Sequence, residues 1–256
     1  MGLVPTPEEL ERTTAALARP RFEGGVSLAA TYRTDRSALT ALLPPPLAAP
    51  EDPLVHVGVS SFPHATCGPY TGGTVRVAAT LDGAPCRYVV AMYMDTDDAL
   101  LFGRELFGEP KKLAHVELDV AADHATATVT RGGTALLHLD ATLGTDDGGG
   151  QGEHLDVNLK GSLAHDGAGL EADATLLTAR MRARWIARRV GRGAVTVGST
   201  PHDPLGDLPV RDVVSLVTLD GLDISATLHR HGSIDASVAW PFVAGRLPHW
   251  ATLADR

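Results

Sequence analysis

Lysine is scarce in this chain: Lys111, Lys112 and Lys160 stand against nineteen arginines. Cysteine is scarcer still. Cys67 and Cys86 are too few and too separated for a disulfide framework or a CxxC metal site, so two free thiols are expected. A basic balance is also missing. The net charge of -9 argues against a nucleic-acid backbone or an anionic membrane as main partner, since either would reward a cationic face. A small neutral or anionic ligand in a local pocket stays open. No apolar run approaches the ~20 residues that span a bilayer. The start, MGLVPTPEELERTT, has no basic segment leading into an apolar one. A cytoplasmic protein is expected.

What is present is ordinary for a globular chain: 256 residues, 44% apolar and 21% charged, enough to bury a core. Thr6, Pro7 and Glu9 form a capping box with proline in the first turn, predicting a helix over 7–18. Asp35 caps a second helix that ends before Pro44. Period-two runs follow in VSLAATYR, LVHVGVSS, TVRVAATL and CRYVVAMYM, separated by turn-rich pieces. TDDALLFGREL predicts a short helix capped at Asp97 or Asp98 and ending near Gly108. AHVELDV, HATATVT and TALLHLDATL then read as a meander. HLDVNLKG, ATLLTARM, ARWIARRV and GLDISATLH carry the strand pattern onward. The run TDDGGGQGE, residues 145–153, lacks a Gly-Lys-Ser/Thr sequence and a following helix start, and reads as a flexible loop. No repeat and no alternating βαβ pattern is visible. The expected fold is α+β: a single domain over 1–256, dominated by a large curved antiparallel β-sheet, cone-like or barrel-like, with a few short helices.

The two adjacent lysines lie where the third helix hands over to a strand. A lysine amine attacks a carbonyl only after losing its proton, which burial or a second cation promotes. A guanidinium stays charged, so arginine cannot replace it. Leu100, Leu101, Phe102, Leu106, Phe107 and Leu113 surround the pair with apolar bulk. On a strand the two side chains point to opposite faces, so one of them reaches a given pocket. The competing reading is two solvated lysines stabilised by a helix C-terminus.

The segment GRELFGEPKKLA closely resembles the signature of the acetoacetate decarboxylase superfamily, in which Gly-Arg-Glu leads into Pro-Lys-Lys-Leu. YRTDRSALTALLPPPL (Tyr32 to Leu47), MYMD (Met92 to Asp95) and DPLGDLPVRDVVS (Asp203 to Ser215) match in order. The resemblance covers the chain from about Arg19 to Ser215. It implies that Lys111 forms a Schiff base with a keto substrate and that Lys112 is the neighbour once credited with activating it. The opposite-face argument favours desolvation as the larger influence. The resulting iminium is an electron sink for carbon dioxide loss, aldol addition or dehydration. No cofactor is called for, and the resemblance suggests a homo-oligomer acting on a small-molecule carbonyl substrate.

The chain departs from the family at three positions. An arginine and two glutamates of the pattern fall at Gly25, Gly58 and Gly72, which removes acid–base groups and makes room. Acetoacetate is therefore a poor substrate candidate. Aldol–dehydration on another keto or aldehyde compound, in specialised metabolism, is the first expectation. A decarboxylase of a larger β-keto acid and a non-covalent binding or cyclising protein are the alternatives. His56, which shares a strand face with Gly58 and Ser60, is the candidate proton-transfer group, with His64 and Tyr70 behind it. Gly58, Gly72, Ser60, Phe107, Arg104 and Glu105 complete the expected pocket, with an Arg104–Glu105 ion pair as the structural alternative. His229 and His231 share a strand face but lack a third ligand, so no metal site is expected.

Overall fold

A computed structural model describes residues 3–247, so the expected domain over 1–256 extends past the described residues at both ends. Helix α1 spans Pro7–Leu17 with both halves of the capping box formed by Thr6 and Glu9. None of its residues is buried. The chain continues through β1 (Arg21–Arg33), α2 (Arg36–Leu42), β2 (Leu54–Phe62), β3 (His64–Ala65), β4 (Tyr70–Leu81) and β5 (Ala84–Met94). Next come α3 (Asp97–Phe102), a π-helical turn (Gly103–Phe107) and β6 (Lys111–Leu113). Strands β7 (His115–Val120), β8 (His124–Arg131) and β9 (Thr134–Asp146) form the expected meander. The remainder is β10 (Gly150–Lys160), β11 (Ala174–Trp185), β12 (Ala187–Val197), β13 (Asp212–Ile234) and α4 (Ala236–Ala244).

The sheet runs β1-β2-β4-β5-β10-β11-β13, and β13 pairs back onto β1, so these strands close into a barrel. The 23-residue β13 makes this possible: one edge follows β1, while the other pairs first with β12 and then with β11. From β12 a second layer, β12-β9-β8-β7, folds over the outside of β1, β2 and β4. Pairing is antiparallel except where β5 meets β10 and β6. The α+β expectation therefore holds.

Alternation sorts the side chains between two environments. Val55, Val57 and Val59 of β2 face the second layer and join one buried cluster with Val75, Val77, Val129 and Leu139. His56, Gly58 and Ser60 face the barrel interior. The hydrophobic core thus sits between layers, which leaves the barrel interior free to hold a cavity.

Several local expectations change. The cap of α3 is Thr96, whose hydroxyl accepts from the Ala99 N–H, while Asp97 and Asp98 occupy the first turn, where the helix dipole favours them. The helix also widens into the π-helical turn and stops at Gly108, whose φ of 68° suits glycine. Asp35 caps α2 by position alone, because its carboxylate is taken by Arg211. The loop expected over 145–153 is mostly strand: Gly150 to Glu153 pair with Trp185 to Arg182. A side chain at Gly150 would strike the Trp185 indole, so glycine lets the ring lie over the strand. ARWIARRV is broken at Ile186 between β11 and β12, and α4 was not expected. No described helix is long and apolar enough to cross a membrane.

Candidate active site

Lys111 leaves β6 toward the barrel interior because β10 pairs with β5 only at Arg87 and Tyr88, and β6 takes over at Met92 to Met94. Its side chain is 4% exposed and lines a cavity of about 380 Å³. The amine donates to the Ala99 carbonyl at 3.0 Å and stands 3.1 Å from Glu109 Oε2. Tyr70 lies alongside, its ring centroid 5.9 Å from the amine. Phe102, Phe107, Met92 and Met94 supply an apolar wall. Burial pushes the Tyr70 phenol well above its ordinary range, with Cys67 and Glu109 adding to it, so the hydroxyl keeps its proton.

Gly103 is required by this geometry. A methyl group there would overlap the Glu109 carboxylate and the end of the Lys111 side chain. The first glycine of the Gly-Arg-Glu signature is thus explained by close approach. Gly103→Ala is expected to slow reaction at Lys111 by about 10²-fold through misplacement of the amine. Rates of reductive trapping, compared at equal folded fraction by thermal melting, would check this; an unchanged rate would refute it.

Lys112 points the other way, as expected for neighbours on a strand, and does not line the cavity. It is 9% exposed, donates to Asp203 Oδ1 at 2.8 Å and to the His202 carbonyl at 2.7 Å. Arg131 binds the other oxygen of Asp203 at 2.6 Å, and the Tyr93 hydroxyl donates to Oδ1 at 3.2 Å. Lys112 is therefore the anchor of a buried ionic network that ties β6 to the loop before β13.

Arg104 and Glu105 also fall outside the cavity. They form no ion pair with one another: Arg104 donates to the Lys111 carbonyl at 3.2 Å, and Glu105 is exposed, its own carbonyl accepting from Lys160. The widened turn aims both away from the barrel. Arg104 acts on the site by holding the backbone of Lys111. His64 is exposed on β3, paired with β1 and outside the cavity. Gly58, Gly72, Ser60, Phe107, Tyr70 and His56 do line it.

The room expected at the three glycines is largely refilled. A Cβ at Gly25 would strike the Phe62 ring, and one at Gly72 would strike Met94. At Gly58 the nearest atoms belong to Leu28 and Ala29, at 3.2 Å. Bulky apolar side chains have thus moved into two of the positions where the family pattern carries charge.

Three functional candidates escaped the sequence reading. Glu109 was given no role, although it lies two residues before Lys111 and its carboxylate stands 3.1 Å from the amine. Arg76 and Arg87 carried no motif; their signal was a charge in the middle of an apolar strand. Arg76 donates to Asp156 Oδ2 at 2.9 Å and to Thr74 at 2.7 Å. Burial raises the proton affinity of Asp156, but Arg76, His154 and Arg87 outweigh it and hold the carboxyl at about 2.

His56 sits at this arginine end and shares a hydrogen bond with Thr31 through Nδ1 at 3.1 Å. Burial, then Arg87, Arg76 and His154, lower its pKa from 6.5 to about 3, with Asp156 opposing. It is therefore a neutral imidazole at neutral pH, and not the titrating acid or base expected from the sequence. Between these two values the unfolded chain holds a proton that the folded chain rejects, so stability falls as pH drops from about 6.5 toward 3. Asp156, lowered from 3.8 to about 2, extends the loss at the acid end. His56→Gln should flatten the upper part of this dependence in urea titrations taken at several pH values. Identical slopes for both proteins would contradict it.

Comparison with known proteins follows the same direction. The family model for acetoacetate decarboxylase matches residues 4–227. An acetoacetate decarboxylase of Burkholderia cenocepacia (strain HI2424) is 39% identical over 113 residues, covering 44% of this chain and 46% of that protein. The matched segment thus spans a little under half the length of that relative. The solved acetoacetate decarboxylase of Legionella pneumophila superposes with a TM-score of 0.73 at 21% identity, covering 84% of this chain and 86% of that one. The enduracididine biosynthesis enzyme MppR, complexed with the condensation product of pyruvate and imidazole 4-carboxaldehyde, gives 0.67 at 14% identity, covering 86% and 90%. At such identities the two superpositions speak for the fold.

Proposed function

The chain belongs to the acetoacetate decarboxylase family, and on that premise we propose that it is a lyase forming a Schiff base between Lys111 and a keto or aldehyde substrate other than acetoacetate. The observation that carries this reading is the Lys111 amine, buried at the wall of the cavity with Glu109 3.1 Å away. Glu109 accepts the ammonium proton, and the freed lone pair attacks the carbonyl carbon. Protonation of the resulting oxygen and its departure as water leave a protonated imine. That iminium then takes up the electron pair of a neighbouring C–H or C–C bond.

Glu109 also favours one outcome among these. A carboxylate beside the iminium can remove an α-proton to give an enamine, whose carbon adds to an aldehyde; loss of water from the adduct completes an aldol–dehydration. The charged groups that the family pattern places at the site are replaced here by Gly25, Gly58 and Gly72, with Phe62 and Met94 packed against two of them. Acetoacetate is disfavoured on that ground. The MppR complex, which holds a product of pyruvate and an aldehyde, supports the same class of reaction for this chain.

The test is reductive trapping. Incubation with pyruvate, acetoacetate and longer keto compounds in the presence of cyanoborohydride should place a stable adduct on the Lys111 peptide, identified by mass spectrometry. With three lysines in the chain the assignment is direct. An adduct confined to Lys160, or none with any carbonyl compound, would refute the proposal.

A further inference from the structure

The charges around the cavity do not cancel. Lys111 is matched by Glu109, and Arg76 by Asp156. Glu153, at the rim, is exposed and paired with Arg180 and Arg182. His56 is neutral. Arg87 remains, half-buried and lining the cavity, with no hydrogen bond and no ion pair among the described residues. Burial and the nearby Arg76 both act against its charge, and Asp156, already bonded to Arg76, offsets part of this. A guanidinium keeps its proton in such a place, so among the described residues the barrel interior holds one positive charge without an ion-pair partner. Leaving a buried cation unpaired is costly, and arginine's planar fork matches a carboxylate.

The position of Arg87 defines the ligand further. Arg87 and Lys111 are both placed by β5: Asp156 registers with Arg87, and Lys111 with Met92. From Arg87 to Met92 is about 16 Å of extended strand. Both side chains reach inward and shorten that span, yet they approach the cavity from different levels. Gly58 and Met92 line the wall at the lysine's level, and His56 and Thr31 line the next level toward Arg87. A carboxylate held by Arg87 is thereby offset along the barrel from the carbonyl that meets Lys111.

Building on the Schiff-base reading, we propose that the substrate is a monoanionic carbonyl compound whose carboxylate is separated from the carbonyl by several bonds, with Arg87 as its specificity-determining anchor and Arg76 beside it. One surplus charge selects a carboxylate over a doubly charged phosphate. The neutral His56 flanks the anion as a hydrogen-bonding group without adding charge.

The experiment compares 5-oxohexanoate and 7-oxooctanoate with their methyl esters and with pyruvate, all by cyanoborohydride trapping on the whole protein. The wild type should trap the distal keto acids at least tenfold faster than the matched esters, and faster than pyruvate. Arg87→Met should bring the acid-to-ester ratio down by at least tenfold, and Arg87→Lys should recover part of it. The thermal midpoint of Arg87→Met should not fall, because the variant removes an unpaired charge; a collapse of the fold would mark Arg87 as structural and overturn the assignment. Equal trapping of acids and esters by the wild type overturns the proposal while leaving the Schiff base intact. Absence of trapping with every compound defeats the Schiff-base reading, and calorimetry with hexanoate, which has no keto group, then decides the anchor separately. Binding by wild type but not by Arg87→Met upholds it; binding by both or by neither overturns it.

Discussion

Lys111→Arg abolishes covalent trapping of every carbonyl compound and lowers turnover by at least about 10³-fold, the scale seen when a catalytic nucleophile is removed. The substitution is chosen because it separates charge from chemistry. A guanidinium still pairs with Glu109 and still donates to the Ala99 carbonyl, so the ion pair at 3.1 Å and the bond at 3.0 Å have replacements. The cavity next to the amine takes the added bulk. Circular dichroism and the thermal midpoint should therefore stay close to wild type while the adduct disappears from the peptide map. If the variant turned over a carbonyl substrate at the wild-type rate, Lys111 would be scaffold, and the cavity would work without a covalent intermediate.

Asp203→Asn has the largest expected effect on stability, about 3–5 kcal/mol, because it leaves buried cations without their counter-charge. Asp203 is 2% exposed and receives Lys112, Arg131 and the Tyr93 hydroxyl together. Burial and Asp203 both push the Tyr93 phenol up, so it remains a donor. Removing Lys112 instead is milder, since Asp203 keeps Arg131 and Tyr93. Denaturant titrations of Asp203→Asn, Lys112→Met and the double variant would measure this, and the two changes should be strongly non-additive because the residues touch. Reductive trapping by Lys112→Met, corrected for folded fraction, should remain within a few-fold of wild type. A loss of trapping with stability unchanged would mean that Lys112 acts on the chemistry of Lys111 and is more than an anchor.

The legible part of the site is the part governed by period two. Alternation in LVHVGVSS put His56, Gly58 and Ser60 on one side of β2, and adjacency put Lys111 and Lys112 on opposite sides of β6. Both assignments hold because strand geometry is local. Glu109 lies before β6, between the helix end at Gly108 and Pro110, where strand alternation does not reach. Arg104 and Glu105 were assigned to the pocket through the family signature, whereas the structure places Arg104 on the Lys111 carbonyl and Glu105 at the surface.

The charge state of His56 was beyond local reasoning. Its ordinary pKa made it a fair proton-transfer candidate, and the arginines that keep it neutral lie on other strands. Arg76 faces it across the β2–β4 pairing, while Arg87 arrives through β5. The filling of the glycine positions was equally hidden. Gly72 and Met94 belong to different strands, and Gly25 meets Phe62 from β2.

By itself, the sequence determined the strand-rich α+β class, the family, the faces of β2 and of the Lys111–Lys112 pair, and the candidate amine. These depend on residue type and on spacings of a few residues. The tertiary structure decided which of the faces encloses the cavity, since that follows from β13 closing onto β1 nearly two hundred residues away. It also assigned Lys112 to Asp203, 91 residues downstream, and left Arg87 without a hydrogen bond or ion pair among the described residues. Burial and pairing of charge are properties of the closed sheet, where the low-dielectric interior makes each unmatched group count, and no spacing within one strand encodes them.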